Sequence, residues 1–337
     1  MAISQCNTSK TPAESSLLVK LALPLARYRL RFISREVLKL PEYAGSAWRG
    51  AFGHALKHTV CVTRMKSCAG CLLHLSCPYP YLFETPPPPD AAKMRRYSAA
   101  PHPFLIELQD IKTDAEYLLG LTLFGRANQY LAYLIHAFAN AAEKGVGAGR
   151  TPLELIAVDQ TDDPTIDAWR EIYRPGGELA AAAPRSPETP PAPSSLRLAF
   201  HTPLRLRREE HYVGPDQFRF ADLFGNLLRR ISMLTYFHTD TPLETDFAGL
   251  MNQARAVSFS NTELHWHDWT RYSTRQQTTM EMGGLTGTVS LDAHDLEALW
   301  PYLWLGQWSH AGKGTSMGLG RYTIEAASLR DRTPVRS

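Results

Sequence analysis

The chain has 337 residues, 44% of them hydrophobic and 20% charged, with a formal net charge of +3. That is the composition of a soluble globular protein with room for two ordinary domains. The weak positive charge alone does not specify a nucleic-acid partner, although the basic residues are unevenly spread.

The polar residues 1–16 read as a disordered tail without a signal peptide. The longest apolar run, 130–142, is too short and interrupted for a membrane span. Five cysteines without a secretory signal argue for a reducing, cytoplasmic setting and against a disulfide framework.

In chain order, 17–32 reads as strand, turn and strand, and 41–60 as a helix with Pro41 near its start. A cysteine-rich insert follows over 61–85, ending at the extended PPPP of 86–89. Strands are predicted over 103–109 and 116–125, a helix over 126–145 with Gly145 as its C-cap, and a strand over 151–159. The order β, α, β, β, α, β is the split βαβ pattern of a ferredoxin-like fold. Pro, Ala, Gly and Ser crowd 174–195, which reads as a linker.

The pattern then restarts. Residues 196–207 read as a strand pair or a bent strand, and 220–237 as a helix with apolar residues at helical spacing. Residues 254–273 and 283–293 form strands, 295–308 a helix, and 321–327 a last strand after a glycine-rich loop, 311–320. The predicted fold class is α+β: two tandem ferredoxin-like (RRM-like) domains, 17–173 and 196–328, with a small cysteine-rich metal-binding insert in the first.

Cys61, Cys68, Cys71 and Cys77 are spaced C-x6-C-x2-C-x5-C. Four soft sulfurs suit a tetrahedral Zn²⁺ with no open position, hence a structural ion. The alternatives are four free or redox-active thiols, or an iron–sulfur cluster. His58 and His74 are substitute ligands, and Cys6 is expected as a free thiol.

Four stretches stand in order: LPEYAGSAWRGAFGHALKH, C…CAGC…CPYPYLFETPPPP, WHDWTRYSTRQ and GQWSHAGKGTSMGLGRY. Together they resemble the CRISPR-associated RAMP endoribonucleases that process precursor CRISPR RNA, in a branch with a cysteine-rich insert. The resemblance spans about residues 20–325. It implies RNA bound across a cleft between the domains and metal-independent cleavage of repeat RNA. The 2′-hydroxyl beside the scissile phosphate attacks, leaving a 2′,3′-cyclic phosphate and a 5′-hydroxyl. The alternative is a non-catalytic RAMP subunit that holds RNA in a multi-subunit CRISPR effector complex. Neither reading has a membrane partner or a catalytic metal.

Gly312, Gly314, Gly318 and Gly320 let a backbone approach a phosphate closely, with Lys313 and Arg321 adding charge; a simple turn is the competing reading. On the first helix, His54 and His58 share a face at i and i+4, and either could carry a proton to or from the sugar–phosphate. Both have competing roles, His54 in packing and His58 near the metal. Arg49 or Lys57 could stabilise a pentavalent phosphate. In HWHDWTRYSTRQ, Arg271 and Arg275 are the RNA-contact candidates among interleaved aromatics, and Tyr272 is a further catalytic candidate. Arg205 and Arg207 form a second basic cluster, with Arg208 beside them; its competing reading is a solvated face.

Overall fold

The computed structural model describes residues 21–326 apart from 37–39, 42–43, 88–90, 92–99, 113–115, 148, 274–277 and 293–295. The expected tail lies outside the described residues.

Strand β1 (Leu25–Ile33) alternates: Tyr28, Leu30 and Phe32 turn into the core while Arg27, Arg29 and Arg31 face outward. After α1 (Gly45–Val60) come a π-helical turn (Pro80–Glu84), β2 (Phe104–Lys112) and β3 (Glu116–Phe124). A 3₁₀ turn (Gly125–Tyr130) then precedes α2 (Leu131–Glu143), β4 (Glu154–Thr161) and β5 (Trp169–Tyr173). The strands form one antiparallel sheet in the order β2-β3-β1-β4-β5, the ferredoxin-like arrangement with one added edge strand.

Helices α1 and α2 cover one face of this sheet. Phe52 stacks on Phe138 with ring centroids 4.1 Å apart, and the buried Trp48 indole donates to the Tyr117 hydroxyl at 2.9 Å. On the opposite face the arginine row of β1 is neutralised. Arg29 pairs with Asp159 at 2.8 Å and Arg31 with Glu116 at 3.0 Å, while Trp169 lies under Arg27 and Arg29. That face therefore offers few unpaired cations.

The second domain repeats the arrangement. It runs through β6 (Ser195–Leu204), the hairpin β7 (Arg207–Arg208) and β8 (His211–Tyr212), α3 (Phe220–His238) and α4 (Phe247–Ala256). It continues with β9 (Asn261–His267), the hairpin β10 (Thr270–Ser273) and β11 (Thr278–Glu281), β12 (Gly284–Asp292), α5 (Trp300–Ser309) and β13 (Tyr322–Ala326). The sheet order β13-β6-β12-β9 is the same as that of the first four strands of domain one.

Helix α4 and strand β5 differ from the sequence expectation. Asp246 caps α4, its carboxylate accepting from the Gly249 amide at 2.9 Å. The segment 174–194 is pinned rather than loose. Arg185 bridges Leu25 by two backbone bonds, the Gln160 side chain brackets Ala182, and the Trp300 and Trp304 indoles donate to the Pro190 and Glu188 carbonyls. It therefore straps α5 toward the first sheet. Among the described residues no helix is long and apolar enough to cross a membrane.

Candidate active site

The glycine-rich loop leaves α5 and wedges against the first domain. Two close approaches require glycine. A Cβ on Gly318, where φ is +88°, would stand 2.6 Å from the Ile106 carbonyl oxygen of β2; one on Gly45 at the start of α1 would stand 2.1 Å from the Met317 carbonyl oxygen. A 3₁₀ turn, Thr315–Met317, carries the loop past both elements.

This placement corrects one expectation. The amides of Gly312, Lys313, Gly318 and Gly320 donate internally, to Asn226 Oδ1 and to the carbonyls of Arg205, Thr315 and Pro203 at 2.6–3.1 Å. Those N–H groups are thus committed to the fold and not directed at a phosphate. What the loop offers outward is Lys313, which is exposed at its tip. Partial burial and then the nearby Arg207 push its ammonium pKa down, with Glu210 opposing.

Behind the tip, His310 is fully buried and its Nε2 lies 3.0 Å from Glu107 Oε1 of β2, while Nδ1 lies 3.2 Å from the Leu319 carbonyl. Both neighbours are hydrogen-bond acceptors. Burial alone would raise the Glu107 carboxyl. The His310 hydrogen bond and charge, with Arg321 and Arg27, instead hold it down to about 2.

A second cluster forms where α1, the start of β2 and the loop meet. Arg49 Nε donates to Ser316 Oγ at 3.0 Å, its Nη2 lies 2.9 Å from His102 Nε2, and its guanidinium rests 5.2 Å over the Phe83 ring. Arginine can only donate, so Nε2 of His102 accepts and the ring is neutral there. Burial, then the charges of Arg49 and Arg230, push His102 down to about 3, against the Leu82 carbonyl. Arg230 of α3 donates to the Ser309 carbonyl at 2.7 Å, and burial lowers its pKa to about 10. His238 closes the cluster: its Nε2 donates to the Pro101 carbonyl at 2.8 Å and its Nδ1 accepts from Tyr81 at 3.1 Å. The result is a cationic junction between the domains with neutral imidazoles set into it.

The sequence candidates separate on this frame. Arg49 stands in the junction. His54 and His58 are exposed on the face of α1 opposite the sheet, and among the described residues neither has a hydrogen-bond partner. Lys57 turns toward the insert, donating to the Lys66 carbonyl at 2.9 Å and lying 5.4 Å over Tyr79.

Arg205 is a further correction. It is buried, and its donors go to the carbonyls of Gly283 and Glu281, the Met282 sulfur and the Tyr212 hydroxyl. Desolvation forces such pairing, so it holds the β7–β8 and β10–β11 hairpins together. Arg207 is held by Glu210 and lies 5.6 Å over the exposed Tyr212 ring, near Lys313.

Arg321 is half-buried beside Glu107. Arg271 and Tyr272 lie on β10, and Arg275 falls outside the described residues. Cys61, Cys68, Cys71 and Cys77 are free thiols lining one small cavity. Among the described residues no group of three or more His, Cys, Asp or Glu side chains stands ready to hold a metal ion.

His102, Glu107, Arg230, His310 and Ser316 escaped sequence reasoning. One signal was present: Glu107 is a lone charge within the apolar strand sequence PFLIEL.

Tandem ferredoxin-like domains meeting at a C-terminal glycine-rich loop are the fold that the resemblance to RAMP proteins implied. Two sequence families match in tandem: residues 23–185 match AF_1859_N, described as an N-terminal domain, and residues 198–322 match the CRISPR-associated endoribonuclease Cas6. The match to Cas6 thus covers the C-terminal domain, 125 of the chain's 337 residues.

Among solved structures, a Cas6 product complex is 18% identical with a TM-score of 0.55, over 90% of this chain and 99% of that one. Thermus thermophilus Cas6 is 18% identical with a TM-score of 0.50 over the same shares. A partial Cas6-RT-Cas1–Cas2 complex is 14% identical with a TM-score of 0.50, over 95% of this chain and 49% of that one. At these identities the likeness speaks for the fold. No curated protein sequence gives a significant match.

Proposed function

We propose that this chain is an endoribonuclease that cuts precursor CRISPR RNA within its repeats, with no metal in the reaction. The observation that carries the reading is the meeting of Arg49, His102 and Ser316 at the seam between a Cas6 domain and its partner domain.

The chemistry follows from the substrate. RNA carries its own nucleophile, so the protein needs a base for the 2′-hydroxyl proton, an acid for the departing 5′-oxygen and a cation for the charge on phosphorus. As the 2′-oxygen bonds to phosphorus, the bond to the 5′-oxygen breaks. The products are a 2′,3′-cyclic phosphate and a 5′-hydroxyl. Arg49 supplies the cation, fixed by Ser316 and His102. His54, one and a half turns further along α1 and open to solvent, is the side chain assigned to proton transfer. His58, Lys57 and Tyr272 are the next candidates.

The RNA backbone is assigned to Lys313, Arg207, Arg321, Arg271 and Arg275. An A-form stem presents shape and phosphate more readily than base edges, so selectivity is expected at the stem's base and flanking nucleotides.

A second reading, a RAMP subunit that binds RNA without cutting it, draws on the exposure of His54 and His58. One assay separates the two. Repeat RNA is incubated with the protein in EDTA, unmodified or with a single 2′-deoxy sugar at the cut. Cleavage of the first only, with a cyclic phosphate detected by mass, supports the enzyme. Binding without any cut supports the subunit. Cutting of the 2′-deoxy strand overturns the mechanism.

A further inference from the structure

Residues 61–77 form neither helix nor strand, only turns and bends. Their polarity is inverted. Val62, Leu72 and Leu75 are 76%, 86% and 74% exposed, whereas Cys68 is only 8% exposed. The side chains turned inward include the four cysteines, which line a cavity of about 20 Å³. That is room for one water-sized sphere.

Thr63 Oγ1 lies 3.8 Å from Cys61 Sγ and 3.6 Å from Cys71 Sγ, so two of the sulfurs flank a single hydroxyl. His74 lines the same cavity, and among the described residues its buried Nδ1 has no hydrogen-bond partner. Val62 and Leu73 also border the cavity, but with Leu72 and Leu75 turned to solvent and Cys68 buried, the hydrophobic effect alone does not organise the segment.

We propose that Cys61, Cys68, Cys71 and Cys77 bind one Zn²⁺, and that this ion positions Arg49 through the turn at Pro80–Glu84. Four thiolates are the donor set zinc takes in sites with no open position, so the ion would act on cleavage only through Arg49 and not by direct contact with the RNA. No group of three or more ligating side chains among the described residues already stands ready to hold an ion. The sulfurs are carried on irregular backbone between the end of α1 and the turn at Pro80–Glu84, which can close around an ion without breaking a helix or strand.

The route to the junction is short. The Tyr81 amide donates to the Cys77 carbonyl at 3.3 Å, and Tyr79 stacks on Phe83 with centroids 5.4 Å apart. Phe83 lies under the Arg49 guanidinium and so close to α1 that a Cβ on Gly53 would stand 2.7 Å from its ring. Lys57 ties the same helix to the insert through the Lys66 carbonyl. Fixing Cys77 therefore fixes the aromatic floor beneath Arg49.

The test uses the full chain purified under reducing conditions without added metal. Elemental analysis is expected to give about one zinc per chain. Four of the five cysteines should resist a thiol reagent until a strong chelator is added, leaving Cys6 reactive. Chelation should speed amide exchange across 61–84 while the β6–β12 pairing stays protected, and zinc should restore protection. Cys68→Ser and Cys71→Ser should each lose the metal. Because either variant could simply misfold, chelation of the wild-type chain is the deciding arm. The proposal is overturned by a folded chain with no metal and all thiols reactive, by iron with visible absorption, or by exchange in 80–84 that ignores zinc removal.

Discussion

Arg49 Nε donates to Ser316 Oγ at 3.0 Å, joining residues 267 positions apart in the chain. One comes from the first helix of the N-terminal domain and the other from the glycine loop of the C-terminal domain. The same guanidinium touches His102 and rests on Phe83, so three elements hold one cation in place. A preorganised cation acts on developing charge without reorganising.

Arg49→Ala is therefore expected to lower single-turnover cleavage of repeat RNA by about 10²–10³-fold, the usual loss for one such donor. Arg49→Lys should recover little, because an ammonium lacks the planar fork that serves Ser316 and His102 together. Cleavage rates within threefold of wild type in Arg49→Ala would take Arg49 out of the reaction.

The buried pair of Glu107 and His310 predicts a different phenotype, in stability. His310→Ala leaves the largely buried Glu107 carboxylate without its hydrogen-bond donor and should cost about 1–3 kcal/mol in denaturant unfolding. Glu107→Gln removes the charge as well as the partner and should cost less. The pH sign follows from the lowered carboxyl. Its stabilisation is fully present above about 4.5, the ordinary value, and is lost as the pH falls toward about 2. Equal unfolding midpoints for wild type and His310→Ala at neutral pH would contradict this.

The two histidines with lowered pKa values act in a higher window. His102 is held to about 3 and His238 to about 4, chiefly by burial, against an ordinary 6.5. Below pH 6.5 the unfolded chain takes up protons that the folded chain refuses, so stability falls on acidification. Each ring contributes a slope of up to ~1.4 kcal/mol per pH unit until its folded value is reached. Unfolding midpoints measured between pH 7 and 5 should show this slope, reduced in His238→Gln. The same slope in His238→Gln as in wild type would show that His238 does not titrate in this way.

These positions also mark how far the sequence could be read. The two βαββαβ halves were legible because helical spacing, as in α3, is a local, periodic signal, although β1 runs unbroken over Leu25–Ile33 where a turn was expected. Helix α4 was missed because only ten residues separate its Asp246 cap from Val257, too few to sustain a clear helical period. The glycine loop was visible as a loop, but not that Gly318 faces the Ile106 carbonyl: that contact joins two domains, and no local pattern encodes it. Arg49 was identified by charge and place. His102 and His310 were not, because a lone histidine has no periodic partner and gains meaning only from what packs against it. Arg205 looked like a phosphate ligand because sequence shows a charge without showing that its donors are already used.

His54 tests the reading of the first helix. Its imidazole is exposed, so His54→Ala should leave folding and repeat binding intact, within experimental error in Tm and Kd. If it transfers the proton, cleavage should fall about 10²–10⁴-fold and the acidic or basic limb of the pH–rate profile should vanish. An unchanged pH–rate profile would pass the role to His58, Lys57 or Tyr272.

Lys313 separates RNA contact from fold support within the glycine loop. Its amide is bonded to the Arg205 carbonyl at 3.0 Å, but its side chain projects from the tip toward solvent beside Arg207. Removing the side chain leaves the backbone bond in place, so Lys313→Ala should fold normally. If the ammonium neutralises one phosphate, repeat binding should weaken alike for different repeat sequences, and the slope of log affinity against log salt should fall by about one. Gly318→Ala should behave differently: its Cβ would meet the Ile106 carbonyl at 2.6 Å in a left-handed backbone, so the loss should appear in Tm first. Matching salt slopes for wild type and Lys313→Ala would move the backbone contact to Arg207 or to the β10–β11 hairpin. A stable Gly318→Ala would mean that the loop does not wedge against β2 as described.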